Sequence, residues 1–301
     1  MNGMETSPLA LLTAEKHAQQ FRYEMARRGV RGDVTDMIDF NEEKAYIAGG
    51  SYSHVESVWY YGDDGTRRKV CLKTLHLATT PNGERFLREG KIWSSLNHPN
   101  VTPFYGWALH VSGPDVHACF VSQLCTEGSL RKYLRFNPNV PKSKMIREIA
   151  AGLLYLHDRG LVHGDVKPTN VLVNFDGRAM LCDFGLSMAI DDSSTHPIGS
   201  SIFTTVQFSA PELVMFEDQP PPRTKSSDVW AFGCTAMEVL SGRKPYEWKH
   251  TLRIPDEMKK GVLPFREFRS NSRLETILQY CFAWSPNHRP TMSQVYTNML
   301  S

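Results

Sequence analysis

The sequence predicts an α+β fold, with a small antiparallel sheet and one main helix in its first part and a larger helical region in its second. Three observations carry this expectation. Between about residues 40 and 125, short β-branched and aromatic runs are separated by glycine-rich and Asp-Gly turns, as in strands joined by hairpins. After residue 126, apolar residues return at spacings of three and four, the period of helices packed on one face. Finally, Val229-Trp230-Ala231-Phe232 to Val239-Leu240 is apolar on nearly every side, which marks a helix sunk in a core.

The first element is read at residues 8 to 28. Ser7 is a possible N-cap, Pro8 suits a first turn and Gly29 can stop the helix. Leu11, Ala14, Ala18, Phe21 and Met25 form one apolar stripe. With fewer than three heptads, a helix packed onto the rest of the domain or onto a partner is expected ahead of a short coiled coil. Residues 1–40 are therefore read as an N-terminal helical extension with a possible partner site. Next, Tyr46-Ile47-Ala48 leads into Gly49-Gly50, and Val55 to Tyr61 turns at Asp63-Asp64-Gly65 and returns through Val70-Cys71-Leu72. A helix is expected at about 83 to 96, then strands around 102 to 110 and 117 to 124 on either side of Ser112-Gly113-Pro114. In the second part, Met145, Ile149, Leu153 and Leu156 keep a helical period that ends at Gly160.

Bulk composition narrows the class. With 301 residues and 41% hydrophobic content the chain is globular rather than disordered. Its 34 Lys+Arg against 32 Asp+Glu give neither a nucleic-acid footprint nor a polybasic membrane patch. The six cysteines lack a C-x-x-C pair or zinc-finger spacing, so no metal site or disulfide framework is expected from them. The run Leu9 to Leu12 is too short for a signal peptide, and no apolar run approaches the ~20 residues that span a bilayer. Asn2 excludes myristoylation, and the final four residues carry no prenylation cysteine. A soluble, cytoplasmic protein with no nucleic-acid partner and no membrane insertion is expected.

Chemistry-bearing residues then follow in order. Gly49-Gly50-Ser51-Tyr52-Ser53-His54-Val55 sits between two strands, Lys73 ends Val70-Cys71-Leu72-Lys73, and Glu89 lies one helix later, ahead of His98-Pro99-Asn100-Val101. Alone, the first would be an ordinary hairpin turn and the lysine a solvated edge charge. They precede His163-Gly164-Asp165-Val166-Lys167-Pro168-Thr169-Asn170, Asp183-Phe184-Gly185 and Ala210-Pro211-Glu212. Each of these could arise by chance, but the ordered set could not. Together they resemble the catalytic domain of eukaryotic protein kinases over roughly residues 41 to 301.

That resemblance implies a bilobal protein-kinase fold: a small antiparallel-sheet lobe at about 41–122, a hinge at 123–126 and a larger helical lobe at 127–301. It implies a transferase acting on protein substrates with ATP and Mg²⁺. Asp165 would accept the proton of the substrate hydroxyl, Lys167 would neutralise the migrating phosphate, and Asn170 and Asp183 would hold the metal. Lys73, kept in place by Glu89, would meet the α/β-phosphates. Ile47, Gly50, Val55, Cys71, Lys73, Gln123, Cys125 and Leu172 would surround the nucleotide, with Ser122 as a small gatekeeper behind the hinge. Ala48 and Ser53 stand where the family has the first and third glycines of the phosphate loop, which stiffens it. Asp228 would brace the catalytic loop, and Arg289 of His288-Arg289-Pro290 would pair with Glu212.

Lys167-Pro168, and Thr205 seven residues before Glu212, match the serine/threonine pattern, and Gly128-Ser129-Leu130 after the hinge looks most like the tyrosine-kinase-like group. A pseudokinase scaffold is the alternative, against which stand Lys73, Asp165 and Asp183. A small-molecule phosphotransferase also carries His-Gly-Asp but lacks Ala-Pro-Glu, the Asp228 helix and His-Arg-Pro. The resemblance also bears on regulation, because the arginine that usually anchors an activation-loop phosphate is here Gly164. The segment from Asp183 to Glu212 offers Ser193, Ser194, Thr195, Ser200, Ser201, Thr204 and Thr205 as acceptors but no lysine or arginine, and Asp191-Asp192 would repel added charge. Activity without activation-loop phosphorylation is expected unless Arg85, Arg88 or Lys91 supplies the clamp.

Overall fold

The computed structural model describes residues 8–49, 53–75, 80–112, 115–184, 187–189, 206–216, 219, 221–266 and 272–301. The chain divides into two compact units, Met1–Asn97 with Thr102–Cys125, and His98–Val101 with Thr126–Ser301.

In the first unit, helix α1 (Pro8–Arg27) ends where Gly29 adopts a φ of +73° and its N–H donates to the Ala26 carbonyl at 3.0 Å. Ala14, Ala18 and Met25 of the expected stripe are buried and Phe21 is half-buried. Leu11 lies among side chains outside the described ones.

Strands β1 (Ala45–Gly49), β2 (Ser53–Tyr61) and β3 (Arg67–Leu75) precede α2 (Thr80–Ser94), β4 (Phe104–Ser112) and β5 (Asp115–Gln123). They form one five-stranded antiparallel sheet in the order β1-β2-β3-β5-β4. The expected turn between β2 and β3 forms, with Gly65 at φ +75° and Asp64 Oδ1 accepting from the Thr66 N–H at 3.0 Å and from its hydroxyl at 2.6 Å. Helix α2 starts three residues earlier than the sequence suggests and stops two earlier, because Thr80-Pro81 supplies a start and Ser95 and Leu96 close back on Ile92 and Trp93 in tight turns. Alternation along β3 sorts the sheet's faces. Val70 and Leu72 pack with Val34, Ile38, Val58 and Val121, so residues 34–40 cover one face. Lys73, one residue further, stands opposite Val55 on one side and Phe120 on the other. Phe120 stacks on Phe86 of α2 with ring centroids 3.9 Å apart, which places α2 over the face that carries Lys73.

The second unit is mostly helical: β6 (Gly128–Ser129), α3 (Leu130–Phe136), α4 (Lys142–Asp158), β7 (Leu161–Val162), β8 (Val171–Val173), β9 (Ala179–Leu181), β10 (Met188–Ala189), α5 (Lys225–Ser241), α6 (Ile254–Lys259), α7 (Arg273–Tyr280) and α8 (Met292–Leu300). Its centre is α5, buried at every position from Ser227 to Val239. A reciprocal cap fixes its start: Thr224 Oγ1 accepts from Ser227 N–H at 3.1 Å, and Ser227 Oγ accepts from Thr224 N–H at 2.9 Å. Helix α4, whose buried stripe includes Met145, Ile149, Leu153 and Leu156, packs against α5, α8 and β9. Among the described residues no helix is long and apolar enough to cross a membrane.

Candidate active site

Two clusters emerge, one in each unit. In the first, Lys73 Nζ lies 2.7 Å from Glu89 Oε1. Glu89 is 1% exposed, and a carboxylate buried that deeply is stable only with a cation beside it. Register brings Val55 opposite Lys73 and Cys71 opposite Ser122, while Ile47 on β1 is exposed. Burial pushes the Cys71 thiol up, against a weaker opposing hydrogen bond with Ser122, and takes Cys125 up to about 12, so neither is a nucleophile near neutral pH. Gln123 ends β5, two residues before Cys125. Gly50 lies outside the described residues, as do Ser51 and Tyr52. None of the six cysteines is in a disulfide.

In the second unit, the loop between β7 and β8 gathers the charged groups. Asp165 Oδ2 accepts from Lys167 Nζ and from Asn170 Nδ2, each at 2.7 Å, and Asn170 Nδ2 also reaches the Asp165 carbonyl at 2.9 Å. Asp165 Oδ1 is buried and carries no hydrogen bond among the described residues. One carboxylate oxygen is thus fixed by two donors while the other remains an acceptor in waiting. His163 Nδ1 accepts from the Asp165 N–H at 3.2 Å, so the proton sits on Nε2, which donates to the Cys182 carbonyl at 3.1 Å. Cys182 N–H in turn donates to the Asn170 carbonyl at 3.0 Å, stitching Asp183 to the loop that carries Asn170. Asp183 has a φ of +64°, an uncommon backbone for a residue with a side chain and one that clusters at functional sites. Phe184 is buried beside His163, and Gly185 lies outside the described residues. Leu172 sits on β8, opposite Ser129 and Met180.

Beneath this loop, Asp228 on α5 is 1% exposed and accepts from the N–H groups of His163 and Gly164, both at 2.8 Å, and meets His157 Nε2 at 3.0 Å. Gly164 takes a φ of +80° to aim its N–H there. Arg289 binds Glu212 through two nitrogens, each at 2.7 Å, and donates to the carbonyls of Ala283 and Ser226. Both Asp228 and Arg289 stand where the sequence places them. His157 was not foreseen, although a histidine closing the otherwise apolar stripe of α4 is a signal that could have found it. Also unforeseen is Arg131, whose guanidinium grips Glu238 at 2.8 and 3.0 Å while its backbone N–H donates to Pro168 in the catalytic loop.

The donor chemistry fits a hard cation shared with phosphate. With its amide nitrogen turned to Asp165, Asn170 leaves its oxygen on the other side, and the carboxylate-bearing Asp183 follows Cys182, whose N–H is bonded to the Asn170 carbonyl. Mg²⁺ takes few protein oxygens and completes its shell with water and phosphate, so a dedicated cage is not needed. Among the described residues no group of three or more His, Cys, Asp or Glu could hold a metal on its own. The acceptors Ser193, Ser194, Thr195, Ser200, Ser201, Thr204 and Thr205 all lie outside the described residues.

Comparison with known proteins gives the family. The family model for protein tyrosine and serine/threonine kinases matches residues 42–299. The chain is similar to serine/threonine-protein kinase RUNKEL of Arabidopsis thaliana, at 36% identity over 54% of this chain and 12% of that protein. Mitogen-activated protein kinase kinase kinase 3 of the same plant is 29% identical over 97% of this chain and 43% of its own length. Ephrin type-B receptor 3 of Danio rerio is 30% identical over 76% of this chain and 46% of the receptor. The chain therefore spans less than half the length of each of these relatives. With the matched residues covering most of its length, the chain belongs to the family of protein tyrosine and serine/threonine kinases.

Proposed function

We propose that this kinase transfers the γ-phosphoryl group of Mg-ATP to serine and threonine hydroxyls of protein substrates, in intracellular signalling and without activation-loop phosphorylation. The observation that carries this reading is the Asp165 carboxylate, with Oδ2 fixed by Lys167 and Asn170 and Oδ1 buried without a hydrogen bond among the described residues. Such an oxygen can accept a hydroxyl proton as the hydroxyl attacks phosphorus, and the adjacent Lys167 ammonium offsets charge gathering on the transferred group. ATP supplies the phosphoryl group and Mg²⁺ the neutralising charge. Asn170 and Asp183 would hold the metal, Lys73 the α/β-phosphates and Glu89 the lysine. Ile47, Gly50, Val55, Cys71, Gln123, Cys125 and Leu172 are the remaining nucleotide contacts in this reading. The division at residues 123–126 into a small and a large lobe belongs to the same proposal.

Serine and threonine are favoured by Lys167-Pro168 and by the likeness to a relative described as a serine/threonine-protein kinase. Constitutive competence is favoured by Gly164, which has no side chain to clamp a phosphate. The test is to incubate phosphatase-treated protein with labelled ATP, Mg²⁺ and a mixed protein substrate and to identify the phosphoamino acid. Phosphoserine or phosphothreonine is expected. Phosphotyrosine would overturn the specificity, label appearing only after rephosphorylation would overturn constitutive competence, and nucleotide binding without any label would leave a pseudokinase.

A further inference from the structure

The Lys73–Glu89 pair depends on where α2 lies, and α2 is met by the N-terminal segment, whose helix α1 also packs on β4 and β5. Phe21 of α1 meets Phe86 of α2 edge to face, with ring centroids 5.4 Å apart. Phe86, fully buried, stacks on Phe120, and Phe120 is the residue opposite Lys73 in the sheet. A continuous row of rings thus runs from α1 to the strand position beside Lys73. Two further contacts fix the register of α2 along that row. Arg28 binds Glu84 through two nitrogens at 2.7 and 2.6 Å. A Cβ on Gly90 would come within 3.1 Å of Phe120 and 3.2 Å of Val30, so a larger residue here would push these side chains back by a few tenths of an ångström. Glu84, Phe86 and Gly90 bracket Glu89, and one residue of slippage along the helix is 1.5 Å, enough to break a contact of 2.7 Å.

We propose that Phe21 and Arg28 are positioning residues for the phosphoryl-transfer reaction, with α1 acting as the clamp that sets Glu89 on Lys73. The inference rests on the kinase reading of Lys73, and its test separates the two. Phe21→Ala in the full chain should weaken binding of a fluorescent ATP analogue and raise KM for ATP by at least about fivefold, the lower end of coupling between sites, while KM for the protein substrate stays unchanged. Phe21→Leu, which keeps an apolar contact, should recover most of the loss. Arg28→Glu should act in the same direction by roughly two- to fivefold, as an exposed pair would, and Glu84→Arg should reverse it. Arg22→Ala is the control, because the ion pair of Arg22 is with Asp33, which lies outside α2. A merely structural α1 would lower the melting temperature of all these variants alike and leave nucleotide affinity intact, and that result overturns the proposal. If Phe21→Ala does not fold, the Arg28–Glu84 exchange decides. If the wild type transfers no phosphate, the kinase reading falls while amide exchange across residues 84–90 still judges the clamp. Faster exchange in Phe21→Ala or Arg28→Glu than in Arg22→Ala supports it, and equal exchange sinks it.

Discussion

The two charged clusters are built in different ways. Asp165, Lys167 and Asn170 lie within five residues of one another, and their contacts follow from one loop closing on itself. Lys73 and Glu89 are 16 residues apart on different elements, and their ion pair is a product of how α2 docks on the sheet. The first cluster is therefore as rigid as its loop, whereas the second is only as secure as the packing of Phe86 on Phe120. A local network tolerates movement of surrounding elements, but a tertiary pair reports it.

The largest expected effect tests whether the loop cluster works as a unit apart from nucleotide binding. Asp165→Ala should lower kcat by about 10² to 10⁴ while sparing ATP affinity, whereas Lys73→Met or Asp183→Ala should weaken ATP binding as well. Steady-state rates and equilibrium binding of an ATP analogue check this, and an Asp165→Ala enzyme above about a tenth of the wild-type rate breaks the assignment. Next comes the support beneath the loop. Asp228→Asn removes a buried charge that serves His163, Gly164 and His157, at a cost of about 3 kcal/mol. The melting temperature should drop by several degrees and the rate should fall with it, since the loop loses its anchor. Unchanged melting would mean that the local contacts hold the loop without α5.

The smallest effect belongs to the first unit. His110 stacks on Phe40 at 4.5 Å, and partial burial, with the nearby charges of Lys44 and His117, holds its pKa below 6.5 against the weaker pull of Glu56. The folded state then binds fewer protons there than the unfolded one, so the contribution is complete above pH 6.5 and is lost as the pH falls through the depressed value. Because the ring is half exposed, the shift between pH 7.5 and 5.5 should be only about one or two degrees. His110→Phe should flatten that dependence; an identical slope in the variant would exclude His110 as its source.

How much was legible in the sequence follows the same division. Strands β2 and β3 were readable because alternation and the Asp63-Asp64-Gly65 turn are local signals, and α5 because its apolar residues cover every side. The start of α2 was placed late because Thr80-Pro81 reads as readily as a turn. Asp165, Lys167 and Asn170 were grouped through the family pattern, as was Glu89 with Lys73, although the first three lie within five residues and the pair is 16 residues apart. His157 meets Asp228 across 71 positions, and Arg131 meets Glu238 across 107, and no periodicity encodes partners so distant. The contact of Phe21 with Phe86 is of that kind too. An apolar stripe says that α1 docks and not where.

The φ of +80° at Gly164 bears on more than a missing arginine. A residue with a side chain held at that angle would load the loop like a bent spring, by roughly 1–2 kcal/mol, and the stored strain would favour any conformation that released it. Glycine holds the same shape at rest. The catalytic loop of this kinase can then keep both of its N–H bonds to Asp228 with no tension urging it toward a second state. Arginine at this position would bring two opposed changes at once, a clamp for phosphate and a spring that needs the clamp to stay closed. In the proposed reading of an enzyme that works without a loop phosphate, the absence of tension would count as much as the absence of charge.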